Sequence, residues 1–174
     1  QSLSGAMERN HDMVYVCYDN GAYMNTGIQR SSATPMYADT TTTPVGRESD
    51  GKMQNRKDLA TIIAAHDVPY VGQSTFISNF NDLHKKAEKA IYTKGAAFLN
   101  IMAPCPRGWR YETSEIMEIC KLGVETCYWP LFEDFLIKQG RFKHLFKPGN
   151  EHLIEEFQAE VDRRWEDLLY NCSR

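Results

Sequence analysis

Residues 13–29 read MVYVCYDNGAYMNTGIQ, and this stretch decides the expected fold. It begins with a short run that is mostly β-branched and aromatic, typical of a buried strand, and Asp19, Asn20 and Gly21 then form a turn sequence. Further along the chain, the apolar residues alternate between periods of about 2 and about 3.6, which predicts alternating strands and helices. The sequence therefore predicts an α/β fold with three layers, α/β/α, and a mostly parallel sheet.

The same patterns predict the remaining elements. A helix end is expected within residues 2–10, and a long loop within residues 27–55 because its sequence has little periodicity. Further strands are predicted at 69–73 and 97–102, and an extended segment at 127–132. Helices are predicted at 56–66, from a cap at Ser78 or Asn79 to Gly95, from a cap at Thr113 or Ser114, and at 151–170.

Composition limits the class of protein. The chain has 174 residues, of which 42% are hydrophobic and 25% charged, as in ordinary globular domains. Its net charge is −3 with dispersed basic residues, so no nucleic-acid partner is expected. No apolar run approaches the roughly 20 residues of a membrane span, and the first residues do not resemble a signal peptide. Five cysteines without a C-x-x-C pair favour reduced thiols, so we expect a cytoplasmic protein without membrane contact.

The turn after the first predicted strand carries the candidate binding site. In open parallel sheets, ligands bind beyond the carboxyl ends of the strands. Oxygen donors are present at Asn20, Asn25 and Thr26, and glycines at Gly21 and Gly27 add flexibility. Mg²⁺ held against a diphosphate prefers such oxygen ligands. Because Asp-Asn-Gly is also a common turn sequence, composition leaves a purely structural Asx-rich turn as the alternative.

A family resemblance extends this interpretation. Residues 18–35, YDNGAYMNTGIQRSSATP, resemble the second half of the thiamine-diphosphate motif of pyruvate:ferredoxin oxidoreductases. The resemblance continues at residues 44–46, 64–71 and 103–106. The chain is thus similar to the carboxyl-terminal part of the thiamine-diphosphate-binding β subunit of a 2-oxoacid:ferredoxin oxidoreductase of the pyruvate synthase type, with oxalate oxidoreductase as the alternative. Residues 1–132 would then belong to the cofactor-binding domain, and 133–174 would form a carboxyl-terminal extension ending in an amphipathic helix.

The resemblance implies roles for individual residues. Asn20 would bind Mg²⁺ through its side-chain oxygen and Ala22 through its main-chain carbonyl. Asn25 would be the catalytic residue that faces the reacting ring and the substrate. The residues that would surround the cofactor are Asn20, Gly21, Ala22, Tyr23, Met24, Asn25 and Thr26.

Two departures from the family pattern matter. The Gly-Asp-Gly that begins the motif, whose Asp binds Mg²⁺, is absent from these residues and is expected upstream. Gly21 stands where relatives that use pyruvate commonly carry an acidic residue, which leaves the substrate open.

Cys105 follows the third predicted strand, between two prolines. Taken alone, a single cysteine is typically a small buried hydrophobe, and a nucleophilic cysteine would need a His or a cationic neighbour. The resemblance implies a third role, as one of the four thiolate ligands of a [4Fe–4S] cluster. The other three would lie upstream of this chain.

The implied function is that of an oxidoreductase subunit that works only within a complex. It would help to decarboxylate pyruvate oxidatively with coenzyme A, giving acetyl-CoA, CO₂ and reduced ferredoxin. The alternatives are oxidation of oxalate to CO₂ without coenzyme A, and a truncated, non-catalytic interaction module. Expected partners are the α-, γ- and δ-type subunits, the remainder of the β subunit, ferredoxin and a small 2-oxoacid.

Overall fold

The structure is a computed structural model, and it describes residues 2–76 and 81–135. In chain order, the labelled elements are α1 (Ser2–Glu8), β1 (Met13–Asp19), β2 (Val45–Gly46), β3 (Ser49–Asp50), α2 (Leu59–Ala64), β4 (Tyr70–Thr75), α3 (Asn81–Tyr92), β5 (Ala96–Met102), α4 (Pro106–Trp109), α5 (Ile116–Glu125) and β6 (Phe132–Phe135). A 3₁₀ turn, Thr113–Glu115, precedes α5. No helix within these residues is long and apolar enough to cross a membrane.

The main sheet contains four of these strands in the order β1, β5, β4, β6. Strand β5 is parallel to both of its neighbours, with Asp19 of β1 and Thr75 of β4 each opposite Met102. Three carboxyl ends therefore meet at one edge of the sheet, where ligands bind in open parallel sheets. Strands β2 and β3 form a separate antiparallel pair.

Helices cover both faces of this sheet. On one face, the core joins α1 and α2 to the strands. On the other face, Ser74 of β4 donates a hydrogen bond of 2.6 Å to Asp82 of α3. Side chains alternate along a strand, so Val71, which lies in the α2 core, and Ser74 point to opposite faces. The predicted three-layer α/β fold with a mostly parallel sheet is confirmed.

Several predicted elements differ in their bounds. Helix α2 begins at Leu59 rather than at residue 56, because the Asp58 side chain caps it by accepting a hydrogen bond of 3.1 Å from the Thr61 amide. The prediction of an extended segment at 127–132 was wrong, since Cys127 has φ 55° in a turn and the strand begins only at Phe132. In each case a local side-chain or turn preference overrode the apolar pattern.

Helix α4 was not predicted at all. It starts at Pro106, and proline suits the first turn of a helix because no amide donor is needed there. The predicted caps at Ser78 and Asn79 and the helix at 151–170 lie outside the described residues. The division into residues 1–132 and 133–174 stays a prediction.

Candidate cofactor site

The turn after β1 borders a cavity of about 540 Å³ at the carboxyl edge of the sheet. This volume lies within the range of small-molecule sites. All seven residues predicted to surround the cofactor line it, together with residues of the next loop and of the start of α2, namely Asn20, Gly21, Ala22, Tyr23, Met24, Asn25, Thr26, Ser32, Lys57 and Leu59. The structure therefore brings the predicted site residues together around one space.

Asp19 ends β1 and holds the beginning of this turn. One carboxylate oxygen accepts a hydrogen bond of 2.9 Å from the Gly21 amide, and the other pairs with Nη2 of Arg56 at 2.6 Å. The Asp19 side chain is only 6% exposed, and a buried carboxylate is costly unless it is paired in this way. Both oxygens therefore serve to orient the turn.

Hydrogen bonds hold both the amide and the carbonyl of Gly21. Its carbonyl accepts a hydrogen bond of 2.5 Å from the hydroxyl of Thr34, which is 1% exposed, while its amide bonds to Asp19. The backbone has φ +82°, a left-handed conformation that glycine adopts without steric cost. A Cβ added here would lie at an ordinary contact distance, 3.6 Å, from the ring of Trp109, so the backbone conformation and not the available space favours glycine. Backbone geometry thus gives a reason for glycine at this position.

Asn20 and Ala22 supply the two oxygens predicted to bind Mg²⁺. The side-chain oxygen of Asn20 accepts a hydrogen bond of 3.3 Å from the Ala22 amide, which makes an Asx-type turn. The Asn20 carbonyl accepts a hydrogen bond of 2.8 Å from Nε1 of Trp109. An amide oxygen has two lone pairs, so the turn and a metal contact are compatible. The donor set fits Mg²⁺ in kind but provides only two of its six ligands.

A closed loop carries Asn25 at its tip. Tyr23 and Gln29 exchange both backbone hydrogen bonds, at 2.9 and 3.0 Å. The Thr26 hydroxyl donates to Oε1 of Gln29 at 3.0 Å and so ties the two arms together. Asn25 is exposed, and among the described residues no hydrogen bond engages its side chain. That amide is therefore available to a ligand in the cavity.

Lys52 anchors the long loop beside this turn. Its ammonium group is buried and donates to the carbonyls of Ser32, at 3.1 Å, of Thr34, and of Asn55, at 3.4 Å. Burial lowers the pKa of Lys52, and the neighbouring cations Arg30 and Arg56 lower it further. No sequence pattern marks Lys52 as part of the site, because its partners are backbone carbonyls that every residue type offers.

Arg56 is the second residue that sequence analysis missed. Its guanidinium lies 4.4 Å from the ring centroid of Trp129 and 5.4 Å from that of Tyr128, while it pairs with Asp19. Its place in a predicted helix suggested no such contacts. Because α2 begins only at Leu59, Arg56 lies outside the helix and reaches across to the turn.

Cys105 lies at the same edge of the sheet, directly before α4, and is half-buried. Helix α4 touches the turn after β1, residues 20–26, which we call the cofactor turn after its proposed role. Gly108 packs closely against Met24, and Trp109 bonds to the Asn20 carbonyl. Within residues 2–76 and 81–135, no group of three His, Cys, Asp or Glu side chains could hold a metal ion. Cys105 therefore brings a single thiolate, and a [4Fe–4S] cluster would need its other ligands from elsewhere.

Comparisons with known proteins identify the family of the chain. Residues 1–101 match the family described as "Thiamine pyrophosphate enzyme, C-terminal TPP binding domain". The chain is 45% identical to the pyruvate synthase subunit PorB of Methanosarcina barkeri, over 92% of this chain and 61% of the relative. It is 44% identical to PorB of Thermotoga maritima, over 97% and 58%, and 42% identical to the ketoisovalerate oxidoreductase subunit VorB of Pyrococcus furiosus, over 97% and 59%.

The chain thus spans 58–61% of the length of these relatives. Among solved structures, the 2-oxoglutarate:ferredoxin oxidoreductase from Magnetococcus marinus with 2-oxoglutarate, coenzyme A and succinyl-CoA bound matches with a TM-score of 0.55. That match has 23% identity and covers 67% of this chain and 37% of the other, so it concerns the fold. The sequence of residues 18–35 predicted a resemblance to these oxidoreductase subunits, and the comparisons confirm it.

Proposed function

This chain belongs to the thiamine pyrophosphate enzyme family as a relative of the β-type subunits of 2-oxoacid:ferredoxin oxidoreductases, and we propose that it works in such a complex. The complex would decarboxylate a small 2-oxoacid oxidatively and reduce ferredoxin. One observation carries this proposal: the turn after β1 presents seven consecutive predicted site residues to a single cavity of about 540 Å³ at the carboxyl edge of the sheet. The chain would be one component of the site, in the cytoplasm.

In this proposal, the turn holds thiamine diphosphate and Mg²⁺. Asn20 would bind the metal through its side-chain oxygen and Ala22 through its carbonyl, in keeping with the oxygen ligands that Mg²⁺ prefers. Residues 20–26 would surround the diphosphate. The remaining metal ligands would come from the diphosphate and from the Gly-Asp-Gly segment expected upstream.

Bound thiamine diphosphate supplies the carbanion chemistry, and the protein binds and orients the reactants. Asn25 is proposed to face the reacting centre, where its amide would orient the substrate. Its exposure at the tip of the closed loop supports this role. Rigidity comes from the paired backbone hydrogen bonds of Tyr23 and Gln29.

Cys105 is proposed as one thiolate ligand of a [4Fe–4S] cluster, which would supply electron transfer. Support comes from its place at the same sheet edge, next to a helix whose Trp109 bonds to Asn20. The other three thiolates would lie in the upstream part of the subunit. The remaining subunits and ferredoxin would complete the electron path.

Pyruvate with coenzyme A is the proposed substrate pair, giving acetyl-CoA and CO₂. Relatives named for pyruvate and for ketoisovalerate are similarly close, so the substrate is the part of the proposal that most needs a test. Oxalate is an alternative because the family position that is commonly acidic in relatives using pyruvate is occupied here by Gly21. Its φ of +82° provides a conformational reason for glycine, which weakens that argument.

The test is anaerobic purification of the whole complex followed by reduction of ferredoxin or a viologen dye. Pyruvate, 2-oxoisovalerate, 2-oxoglutarate and oxalate would each be supplied with and without coenzyme A. We expect reduction with pyruvate that depends on coenzyme A. Reduction by oxalate without coenzyme A would move the assignment to oxalate oxidation. Reduction by none of them, in a complex that contains its cofactors, would support the non-catalytic alternative.

A further inference from the structure

We propose that Arg56 is a positioning residue for the cofactor turn and acts through Asp19 on the backbone at Gly21. The proposal rests on the proposed function, because it assigns to Arg56 the task of presetting the turn that binds the cofactor. Arg56 itself need not touch cofactor or substrate. Its effect is expected on cofactor affinity before any chemical step.

The contacts form a continuous path from the core to the turn. The guanidinium lies 4.4 Å from the ring centroid of Trp129, which is 1% exposed and donates a hydrogen bond of 2.8 Å to the carbonyl of Ser74 in β4. Arg56 Nη2 then lies 2.6 Å from one oxygen of Asp19. The other oxygen accepts from the amide of Gly21 at 2.9 Å. Each link is a directional contact, so the position of the turn follows from that of the core.

The burial of this pair separates it from an ordinary surface ion pair. Exposed pairs contribute little because water and salt screen them. The side chains of Arg56 and Asp19 are 21% and 6% exposed, and two aromatic rings cover the cation. Removal of Arg56 would leave a buried carboxylate without its partner, and that carboxylate would turn toward water. The Gly21 amide would then lose its acceptor.

Loss of the hydrogen bond between the Gly21 amide and Asp19 would also displace the proposed metal ligands. Asn20 and Ala22 flank Gly21 directly, so a rotation at Gly21 moves the Asn20 side chain and the Ala22 carbonyl relative to each other. Groups that orient metal ligands without touching the metal commonly change metal affinity by about 10–100-fold when they are removed. Arginine suits this task better than lysine, because its planar group can stack on an aromatic ring and bind a carboxylate at once.

The test uses the complete complex, stripped of cofactor with a chelator. Binding of Mg²⁺ and thiamine diphosphate would be measured by calorimetry in wild type, Arg56→Gln, Arg56→Lys and the control Arg9→Gln. Arg9 is exposed, and its side chain bonds to His11. We expect the dissociation constant to rise about tenfold or more in Arg56→Gln, to rise less in Arg56→Lys, and to stay unchanged in Arg9→Gln.

A double-mutant cycle with Asp19→Asn tests the path itself. If Arg56 acts through Asp19, the double variant binds the cofactor about as weakly as the weaker single variant. Additive losses would overturn the proposal, and so would wild-type affinity in Arg56→Gln. If Arg56→Gln fails to assemble, Arg56→Lys takes its place, and an unchanged constant there would overturn the proposal equally.

The outcomes for the two proposals are distinguishable. A wild-type complex that binds no thiamine diphosphate would contradict the proposed function. A wild-type complex that binds it, together with an Arg56→Gln complex that binds it equally well, would contradict the role of Arg56 alone.

Discussion

The hydroxyl of Thr34 donates a hydrogen bond of 2.5 Å to the carbonyl oxygen of Gly21, 13 residues earlier in the chain. The carbonyl of Thr34 in turn accepts a hydrogen bond from the buried ammonium of Lys52. The long loop within residues 27–55 is therefore attached to the cofactor turn through buried polar groups. It forms one wall of the site.

Replacing Thr34 by valine is expected to destabilise the protein by about 1–3 kcal/mol, because the buried Gly21 carbonyl would lose its donor while the shape of the side chain is kept. Denaturant unfolding of the purified protein measures this change. The control is Thr126→Val, at an exposed position just after α5, where the hydroxyl bonds to the Leu122 carbonyl of that helix. There the change should stay within about 0.5 kcal/mol, and equal effects at the two positions would contradict the role given to Thr34.

Asn25→Ala should lower turnover of the complex by at least about 100-fold and leave the fold unchanged, because the side chain is exposed and its amide is proposed to hydrogen-bond to the reacting groups. Substrate-dependent viologen reduction gives the rate, and circular dichroism gives the fold. Asn55→Ala is the matched control, since Asn55 is exposed and its bond to Lys52 uses only the backbone carbonyl. Comparable turnover in the two variants would remove Asn25 from the catalytic site.

Cys105→Ser should remove the absorbance of one iron–sulfur cluster from the anaerobically purified complex, since four thiolates normally hold such a cluster. The expected loss is roughly four iron atoms per complex unit. Cys127→Ser is the control, because Cys127 lies in the turn before β6 and has no predicted ligand role. Unchanged iron content in Cys105→Ser would exclude Cys105 as a ligand.

Tyr70 is expected to make stability sensitive to alkaline pH. Burial and the carboxylate of Glu133, which accepts a hydrogen bond of 2.9 Å from its hydroxyl, raise the pKa of Tyr70. The unfolded chain then loses this proton near pH 10, as tyrosine ordinarily does, while the folded chain keeps it. The stabilisation is therefore complete below about pH 10 and declines as the pH rises further.

The variant Tyr70→Phe tests the predicted loss of stability at alkaline pH. At neutral pH the variant should be about 1 kcal/mol less stable, because the bond to Glu133 is lost. Above about pH 10, its stability should fall less steeply than that of wild type. Urea unfolding between pH 7 and pH 11 gives both quantities, and parallel curves for the two proteins would contradict the prediction.

Gly51→Ala should destabilise the protein by about 2–3 kcal/mol, because φ is +78° there and a Cβ would lie 2.7 Å from the carbonyl oxygen of Ala38. The neighbouring strand offers a matched control, since a Cβ at Gly46 would meet nothing within 4 Å. Thermal unfolding of both variants compares them directly. A loss in Gly46→Ala as large as in Gly51→Ala would show that the close approach at Gly51 is not the cause.

The fold class and the turn after β1 could be predicted from sequence because both depend on local patterns. The apolar run of β1 predicts a strand, and the residues after it predict a turn. The alternating periods of the apolar residues predict the order of strands and helices, again from short stretches of sequence. The proposed site residues from Asn20 to Thr26 are consecutive, so a single resemblance covers them all, and their roles stay a prediction. The loop at residues 27–55 was recognised only as a stretch without periodicity.

The sequence by itself determined β1 and the turn from Asp19, because those residues are adjacent and the turn forms through short-range hydrogen bonds from backbone amides to the side chains of Asp19 and Asn20. Only the tertiary structure decided what holds that turn. Arg56 pairs with Asp19 across 37 positions, and Trp109 reaches the Asn20 carbonyl across 89. These contacts arise because parallel strands bring their carboxyl ends to one edge, which places residues remote in sequence beside each other. No periodicity marks them, because the ion pair joins residues far apart in sequence and Trp109 bonds to a main-chain carbonyl, which every residue offers.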